Sequence, residues 1–457
     1  MIRKSVVLFS VNVAGRVFQY LYRVIMGYFL SLKDFGILSA SLPYQSFVLL
    51  FTSMSITPTV SRFASEYKVS QKEKMVNVFS LLVVGLVVAG VLYGMTGLFS
   101  GFFGPEFAEA QSLLRILALA VPFAVLLCIC TGIFLGYQRA GLVAGVLMVY
   151  QCVMVGSSYI LVQHTGLQGA AQGILVGYVI SGGIAFVIAL KFSSIGKVLA
   201  QEVVRIIRFS LPVLLGVTGL WALLNIDILI LARFATSEQV GLYGMASPTA
   251  RLIFGFSTAL SALLIPRVSE MKFKGMDPRK SVRRSLEICT VVTVPIAVVM
   301  SAFSKEILYV LFGNYDGYLG LQILSCGMLF YSIFFVGYSA LQGMGHPERS
   351  MLIGIGSALV NGGVCFMLIP RFGLAGAALS TTLSCGLAMV LALVAVRIAV
   401  IPRIQYVVVF VPIFLIEYLA GIPGGRFFTM AVYSAIGLPF IAGYFYLSRK
   451  HLQPQSG

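Results

Sequence analysis

Apolar residues run along this chain in long stretches that do not alternate with polar ones, and the stretches recur from the first residues almost to the last. A helix needs about 20 apolar residues to cross a bilayer core, whereas barrel strands give short alternating segments. Fourteen stretches fit the helical pattern: residues 5–31, 35–61, 76–101, 110–136, 141–163, 167–190, 209–233, 239–266, 285–304, 319–344, 350–370, 373–396, 404–421 and 427–447. The pattern predicts an all-α integral membrane protein of about 14 transmembrane helices. The first stretch carries Arg16 and Arg23 and lacks a small-x-small cleavage site, so it reads as a span retained in the mature protein rather than a signal peptide.

The chain also repeats itself. Asp34-Phe35-Gly36-Ile37 is echoed by Gln239-Val240-Gly241-Leu242 and Pro58-Thr59-Val60-Ser61 by Pro266-Arg267-Val268-Ser269, at offsets of 205 and 208. Phe103-Gly104 returns as Phe312-Gly313, and Gly166-Leu167-Gln168-Gly169-Ala170-Ala171 returns as Gly373-Leu374-Ala375-Gly376-Ala377-Ala378, at offsets of 209 and 207. Four ordered echoes at a nearly constant offset mark an internal repeat. The offset covers six spans, an even number, so the two copies share one orientation and form a parallel repeat. The organisation expected is a six-helix bundle over 1–200, a second over 201–402, and two further helices with a tail over 403–457. Transporters built this way hold substrate between the halves and alternate access by rocking them.

Composition agrees with the span count: 59% of the 457 residues are hydrophobic and 10% charged, with a mean hydropathy of +0.98. In a soluble protein a net charge of +17 would point to nucleic acid. With the N-terminus inside, 23 of the 32 Lys and Arg residues fall on the cytoplasmic side, five outside and four within spans. This bias places both termini in the cytoplasm of a multi-pass cell (inner or plasma) membrane protein and accounts for most of the charge without nucleic acid. The seven cysteines all lie in apolar segments and their number is odd, so they read as core filler rather than a disulfide framework.

Several segments resemble the polysaccharide and O-antigen flippases, which translocate lipid-linked oligosaccharides and belong to the multidrug/oligosaccharidyl-lipid/polysaccharide exporter superfamily. They are Gly15 through Tyr20, Arg23 and Gly27 to Lys33-Asp34-Phe35-Gly36, then Asn225-Ile226-Asp227, Glu238-Gln239-Val240-Gly241-Leu242-Tyr243 with Ala246, and Leu264-Ile265-Pro266-Arg267-Val268-Ser269. Gln342-Gly343-Met344-Gly345, Asn361 and Ile369 through Ala378 continue the likeness, which covers about residues 1–400. The resemblance implies a MATE-like fold, two six-helix bundles around a V-shaped cavity. It implies as substrate a polyprenyl-pyrophosphate-linked oligosaccharide moved from the cytoplasmic leaflet outward, with membrane lipids and glycan-assembly proteins as further partners.

No enzyme constellation accompanies these motifs: His164, His346 and His451 lack metal-site spacing, and there is no Walker lysine motif. Neither a catalytic residue nor a metal site is expected. The informative residues are charges inside spans, which cost at least about 2.5–3.5 kcal/mol at the bilayer centre unless they face protein or water. Arg16 and Arg23 are seven apart, hence on one face of the first span, with Tyr20 near the same stripe. Arg251 lies near the middle of the eighth span after Ser247-Pro248-Thr249, where Pro248 breaks the helical ladder. Snorkelling or pairing with an acid is the alternative for each arginine, and Arg115, near a span end, fits snorkelling better. A cationic cavity suits a pyrophosphate, because guanidinium donors match phosphate oxygens in pairs. Asp34 reads either as a partner for a cavity arginine or as a helix cap. The lipid II flippase of the superfamily similarly carries arginines on its first and eighth helices; here the second span holds no arginine, and Gln45 is its nearest long polar side chain.

No cofactor is expected, and an ion gradient, Na⁺ or H⁺, is the natural energy source. Asp227, Asn361 and Thr381 are oxygen-bearing residues in the second half and candidate cation-coupling groups. The resemblance implies a sodium site on similar helices, with its second acid falling at Cys365. Two superfamily alternatives stay open, a cation-coupled multidrug exporter and a lipid II-type flippase. The first needs a cavity carboxylate where this chain has two arginines. The topology predicts that single cysteines at Ser70 and Gln453 are labelled by an impermeant reagent only from the cytoplasm, and one at Gly104 only from outside; labelling of position 70 in intact cells would contradict the map.

Overall fold

The computed structural model describes residues 2–51, 101–192 and 200–397, with scattered positions between 57 and 97. Among these residues every regular element is helical. The first half gives α1 (Ile2–Phe29), α2 (Leu32–Phe51), a 3-10 turn (Pro105–Phe107), α3 (Ala110–Gly136), α4 (Ala140–Thr165) and α5 (Leu167–Ala189). The second gives α6 (Ala200–Phe234), α7 (Ser237–Ala250), a 3-10 turn (Arg251–Phe254), α8 (Gly255–Phe273), α9 (Arg279–Ala302), α10 (Ser304–Phe312) and α11 (Tyr318–Gly343). The last described segment, Pro347–Val396, leaves helical geometry at Gly373; its arms are α12 (347–372) and α13 (374–396). Eight described segments are long and apolar enough to cross a membrane. The spans expected at 404–421 and 427–447, and most of that at 76–101, lie outside the described residues.

Differences from the expected boundaries have local causes. The eighth span is not one helix: after Pro248 the α-helix gives way to the 3-10 turn that begins at Arg251, because proline offers no N–H to the ladder. The ninth starts at Arg279, six residues before the apolar stretch, since the basic run Arg279 to Arg284 is itself helical and follows Pro278. Inside the spans, hydroxyls are satisfied by their own helix: Ser41, Ser181, Ser380 and Thr293 donate to the carbonyl four residues back at 2.6–2.9 Å. In an apolar medium that local bond removes the cost of an unpaired polar group.

The repeat is visible at atomic detail. Gly166 (φ 57, ψ −130) and Gly373 (φ 53, ψ −127) are 207 apart and adopt the same left-handed conformation, which L side chains rarely take. Each turns the chain back so that the next helix packs against the last. A Cβ on Gly169 would lie 2.3 Å from the Leu161 carbonyl oxygen, and one on Gly376 would lie 2.4 Å from that of Leu368. Both glycines and both leucines are again 207 apart. Hence α12 and α13 are antiparallel neighbours, as α4 and α5 are, and correspond to the eleventh and twelfth spans expected.

The chain forms two compact units, neither of them a single stretch. The first comprises Met1–Thr249, Lys305–Gly320 and Met351–Ser384. Within it, α2 begins on a cap in which Ser31 Oγ accepts from the Asp34 N–H at 3.1 Å and donates to the Asp34 carboxylate at 2.7 Å. The start of α2 then lies against the start of α7: a Cβ on Gly36 would meet the Ser237 carbonyl oxygen at 1.8 Å, and one on Gly241 would meet that of Leu32 at 2.4 Å. These glycines belong to the first echoed pair, so the repeat packs on its own copy here. Glu106, on the 3-10 turn, accepts from the Ser237 N–H at 2.8 Å and closes the N-terminus of α7. The second unit comprises Ala250–Ser304, Leu321–Ser350 and the described residues from Cys385 on. Its core includes the rings of Phe254 and Tyr331, 5.0 Å apart, with Tyr331, Phe335 and Tyr338 stacked along α11.

Gly36→Ala forces a methyl into a backbone carbonyl, which overpacking data put at about 1–3 kcal/mol. Gly183→Ala on α5 meets nothing within 4 Å and gains helix propensity of roughly 1 kcal/mol. The melting temperature of the purified protein is expected to fall for the first variant and to hold or rise for the second. Equal behaviour would contradict the α2–α7 contact.

Candidate functional site

An acid in the middle of an apolar helix needs donors, and Asp227 on α6 obtains them from three elements of the first unit. Its side chain is 1% exposed. Oδ2 accepts the hydroxyl of Tyr243 on α7, in a short contact, and that of Thr381 on α13 at 2.7 Å; Oδ1 accepts the Ile228 N–H at 2.8 Å. Asn361 on α12 donates through Nδ2 to the Leu223 carbonyl of α6 at 3.0 Å and lies 3.5 Å from Thr381 Oγ1. The Cys365 thiol reaches Asn361 Oδ1 at 3.5 Å. Tyr243, Asn361, Thr381 and Cys365 are likewise buried.

The geometry depends on the reversal at Gly373. Asn361 and Thr381 are 20 residues apart and, in a straight helix, would be about 30 Å apart; the turn brings both to one acid. Each charge-assisted hydrogen bond contributes about 1.5–3 kcal/mol, and placing an aspartate at a span centre costs about 2.5–3.5 kcal/mol. Two hydroxyl donors therefore suffice to hold the carboxylate in the span. All oxygens converging here are hard donors, the class that binds a proton or an alkali cation, and Cys365 adds no hard donor beside them.

The structure thus brings together Asp227, Asn361 and Thr381, the three residues marked for cation coupling. Tyr243 completes the set, and no local signal in the sequence singled it out. One repeat earlier, positions 20, 154 and 174 hold Tyr20, Met154 and Ile174. The acid cluster is a property of the second half alone.

The residues marked for substrate are placed as follows. On α1, Arg16 is exposed and Tyr20 and Arg23 are half-buried. Tyr20 shares a hydrogen bond of 2.9 Å with Thr249 of α7, a partner that sequence reasoning missed although it directly follows Pro248. Asp34 sits in the capping turn of α2, and Gln45 is half-buried on the same helix, two residues beyond Pro43. Arg251 is half-buried and opens the 3-10 turn of the second unit.

A family model described as polysaccharide biosynthesis protein matches residues 1–272, more than half of the chain. The chain belongs to that family. The MatE family model matches residues 212–367 of this polysaccharide-biosynthesis family member. An uncharacterized membrane protein of Methanocaldococcus jannaschii is 24% identical over 408 residues, covering 84% of this chain and 94% of that protein. The probable low-salt glycan biosynthesis flippase Agl15 of Haloferax volcanii is 22% identical over 390 residues, covering 84% and 80%. Among solved structures, the lipid II flippase MurJ in its inward closed conformation superposes with a TM-score of 0.81 at 13% identity, covering 97% of this chain and 99% of that one. That likeness shows the fold. Relatives and helices together make the chain a multi-pass membrane protein.

Because Thr381 donates to Asp227, Thr381→Val is expected to destabilise the protein by about 1–3 kcal/mol, and Asp227→Leu to remove the reason for that loss. The double variant should then cost less than the sum of the single ones, read as melting temperatures of purified protein. Strict additivity would show that the two side chains do not interact.

Proposed function

We propose that the protein is a flippase that carries a polyprenyl-pyrophosphate-linked oligosaccharide from the cytoplasmic to the outer leaflet by alternating access. The reading is carried by the match to the polysaccharide-biosynthesis family over residues 1–272. It is supported by the name of the Haloferax volcanii relative, a probable glycan biosynthesis flippase, and by the fold shared with the lipid II flippase. Its chemistry is transport rather than catalysis. In this reading Arg16 and Arg23 of the first unit and Arg251 of the second supply the cationic character of the substrate site, paired guanidinium donors hold the pyrophosphate, Tyr20 and Gln45 help to orient it, and Asp34 caps α2. Arginine suits this role better than lysine because its fork of donors matches two phosphate oxygens at once.

Energy enters at Asp227. A proton or Na⁺ taken up between Asp227, Tyr243, Thr381 and Asn361 would cancel the carboxylate charge and rearrange bonds that tie α6 to α7, α12 and α13. That is a local electrostatic change acting on helices able to move, the form such coupling takes.

Arg23→Ala and Arg251→Ala are expected to abolish glycan export at unchanged abundance in the membrane, with Arg23→Lys restoring little of it. Transport into vesicles under an imposed H⁺ or Na⁺ gradient is expected to accelerate for the wild type and not for Asp227→Asn. Export by both alanine variants at the wild-type level would sink the cationic substrate site. A gradient response retained by Asp227→Asn would make that residue structural.

A further inference from the structure

The turn joining α8 to α9 presents an aromatic side chain that nothing in the second unit covers. Phe273 is 95% exposed and Met276, three residues on, is 48% exposed. This is not a frayed end. The Met276 N–H donates to the Met271 carbonyl at 2.9 Å and the Gly275 N–H to that of Lys272 at 3.0 Å, with Gly275 at φ 69. That pair of bonds is a Schellman closure, which fixes the end of α8. The Arg279 N–H donates to Asp277 Oδ1 at 3.0 Å and starts α9 at once. Lys272 Nζ donates to the Met344 carbonyl and ties the turn to the end of α11. The sequence holds a large apolar side chain outward on a rigid support.

Its surroundings are basic. Lys272, Lys274, Arg279, Lys280 and Arg283 are exposed and Arg284 is half-buried. Over residues 270–287 these six cations face three acids, Glu270, Asp277 and Glu287, leaving an excess of three positive charges. The acids pair within the segment, Glu270 with Lys274 at 2.5 Å, Glu287 with Arg283 at 3.2 Å and Asp277 with Arg279 at 3.9 Å, all on side chains that water and lipid phosphates can reach. The turn also joins two membrane-crossing segments, Ser237–Phe273 and Arg279–Ala302, so it lies where the chain leaves the bilayer and re-enters it. Two apolar residues are far too small an area for a stable protein partner, which buries about 1,600 Å² in total. A ring of lysines and arginines around a lone aromatic matches an anionic lipid surface, whose headgroups attract cations while the acyl boundary accepts the ring.

We propose that the α8–α9 turn is an anchor for anionic phospholipid: Phe273 and Met276 seat at the acyl boundary while Lys274, Arg279 and Lys280 hold headgroup phosphates. The anchor is independent of what the protein transports. The test compares Phe273→Trp with the wild type, so that the native Trp221 cancels in the difference emission spectrum. Full-length protein is reconstituted in phosphatidylcholine vesicles with and without phosphatidylglycerol, using lipids brominated near the headgroup end of the acyl chain. The tryptophan at 273 is expected to emit at short wavelength and to be quenched by bromine, more strongly with phosphatidylglycerol. Adding Lys274→Gln and Lys280→Gln should remove that extra quenching while the melting temperature stays unchanged. Water-like emission in both vesicles, or quenching indifferent to phosphatidylglycerol, overturns the proposal.

Discussion

A carboxylate held 1% exposed among apolar helices organises much of the first unit. Asp227 cannot turn to water, so its donors must come from protein, and they come from α7 and α13 as well as its own helix. Asn361 adds a fourth element by bonding the backbone of α6. The reversal at Gly373, with its left-handed backbone, is what lets two residues 20 positions apart serve one acid. Any change in the charge of Asp227 alters bonds to two neighbouring helices, α7 and α13, together. The residue is therefore a structural tie, and it is the group at which the proposed coupling to an ion would act.

Much of this was legible in the sequence, because a membrane restricts what a chain can do. Backbone groups in an apolar medium must pair within the segment, so long apolar stretches become helices. The echo of residues 166–171 at 373–378 was legible because close approach of two backbones demands glycine at the same places in both copies. Asp227, Asn361 and Thr381 stood out because polar residues are scarce in spans and each needs a reason. Tyr243 did not, since tyrosines are common here and its hydroxyl gives no sign of its partner. The division of the eighth span followed from Pro248, but that the break takes the form of a 3-10 turn at Arg251 required the structure. The helical start of the ninth span was hidden as well, because the apolar stretch begins only at residue 285, six residues after Arg279.

The two halves have diverged in chemistry while keeping a common backbone plan. Their turn glycines coincide at one offset, yet Tyr20 stands where the second half has Asp227. The first half offers arginines and a tyrosine on α1; the second offers an acid ringed by hydroxyls.

The central claim is that this chain by itself moves a lipid-linked oligosaccharide across a bilayer. The most direct measurement places purified protein in vesicles carrying such a lipid with its sugar facing one side, and follows access of an impermeant sugar-binding probe from the other. The account predicts that the sugar becomes accessible from the far side only when the protein is present, at a rate that rises with an imposed cation gradient. Access no faster than in protein-free vesicles, with and without a gradient, would contradict it.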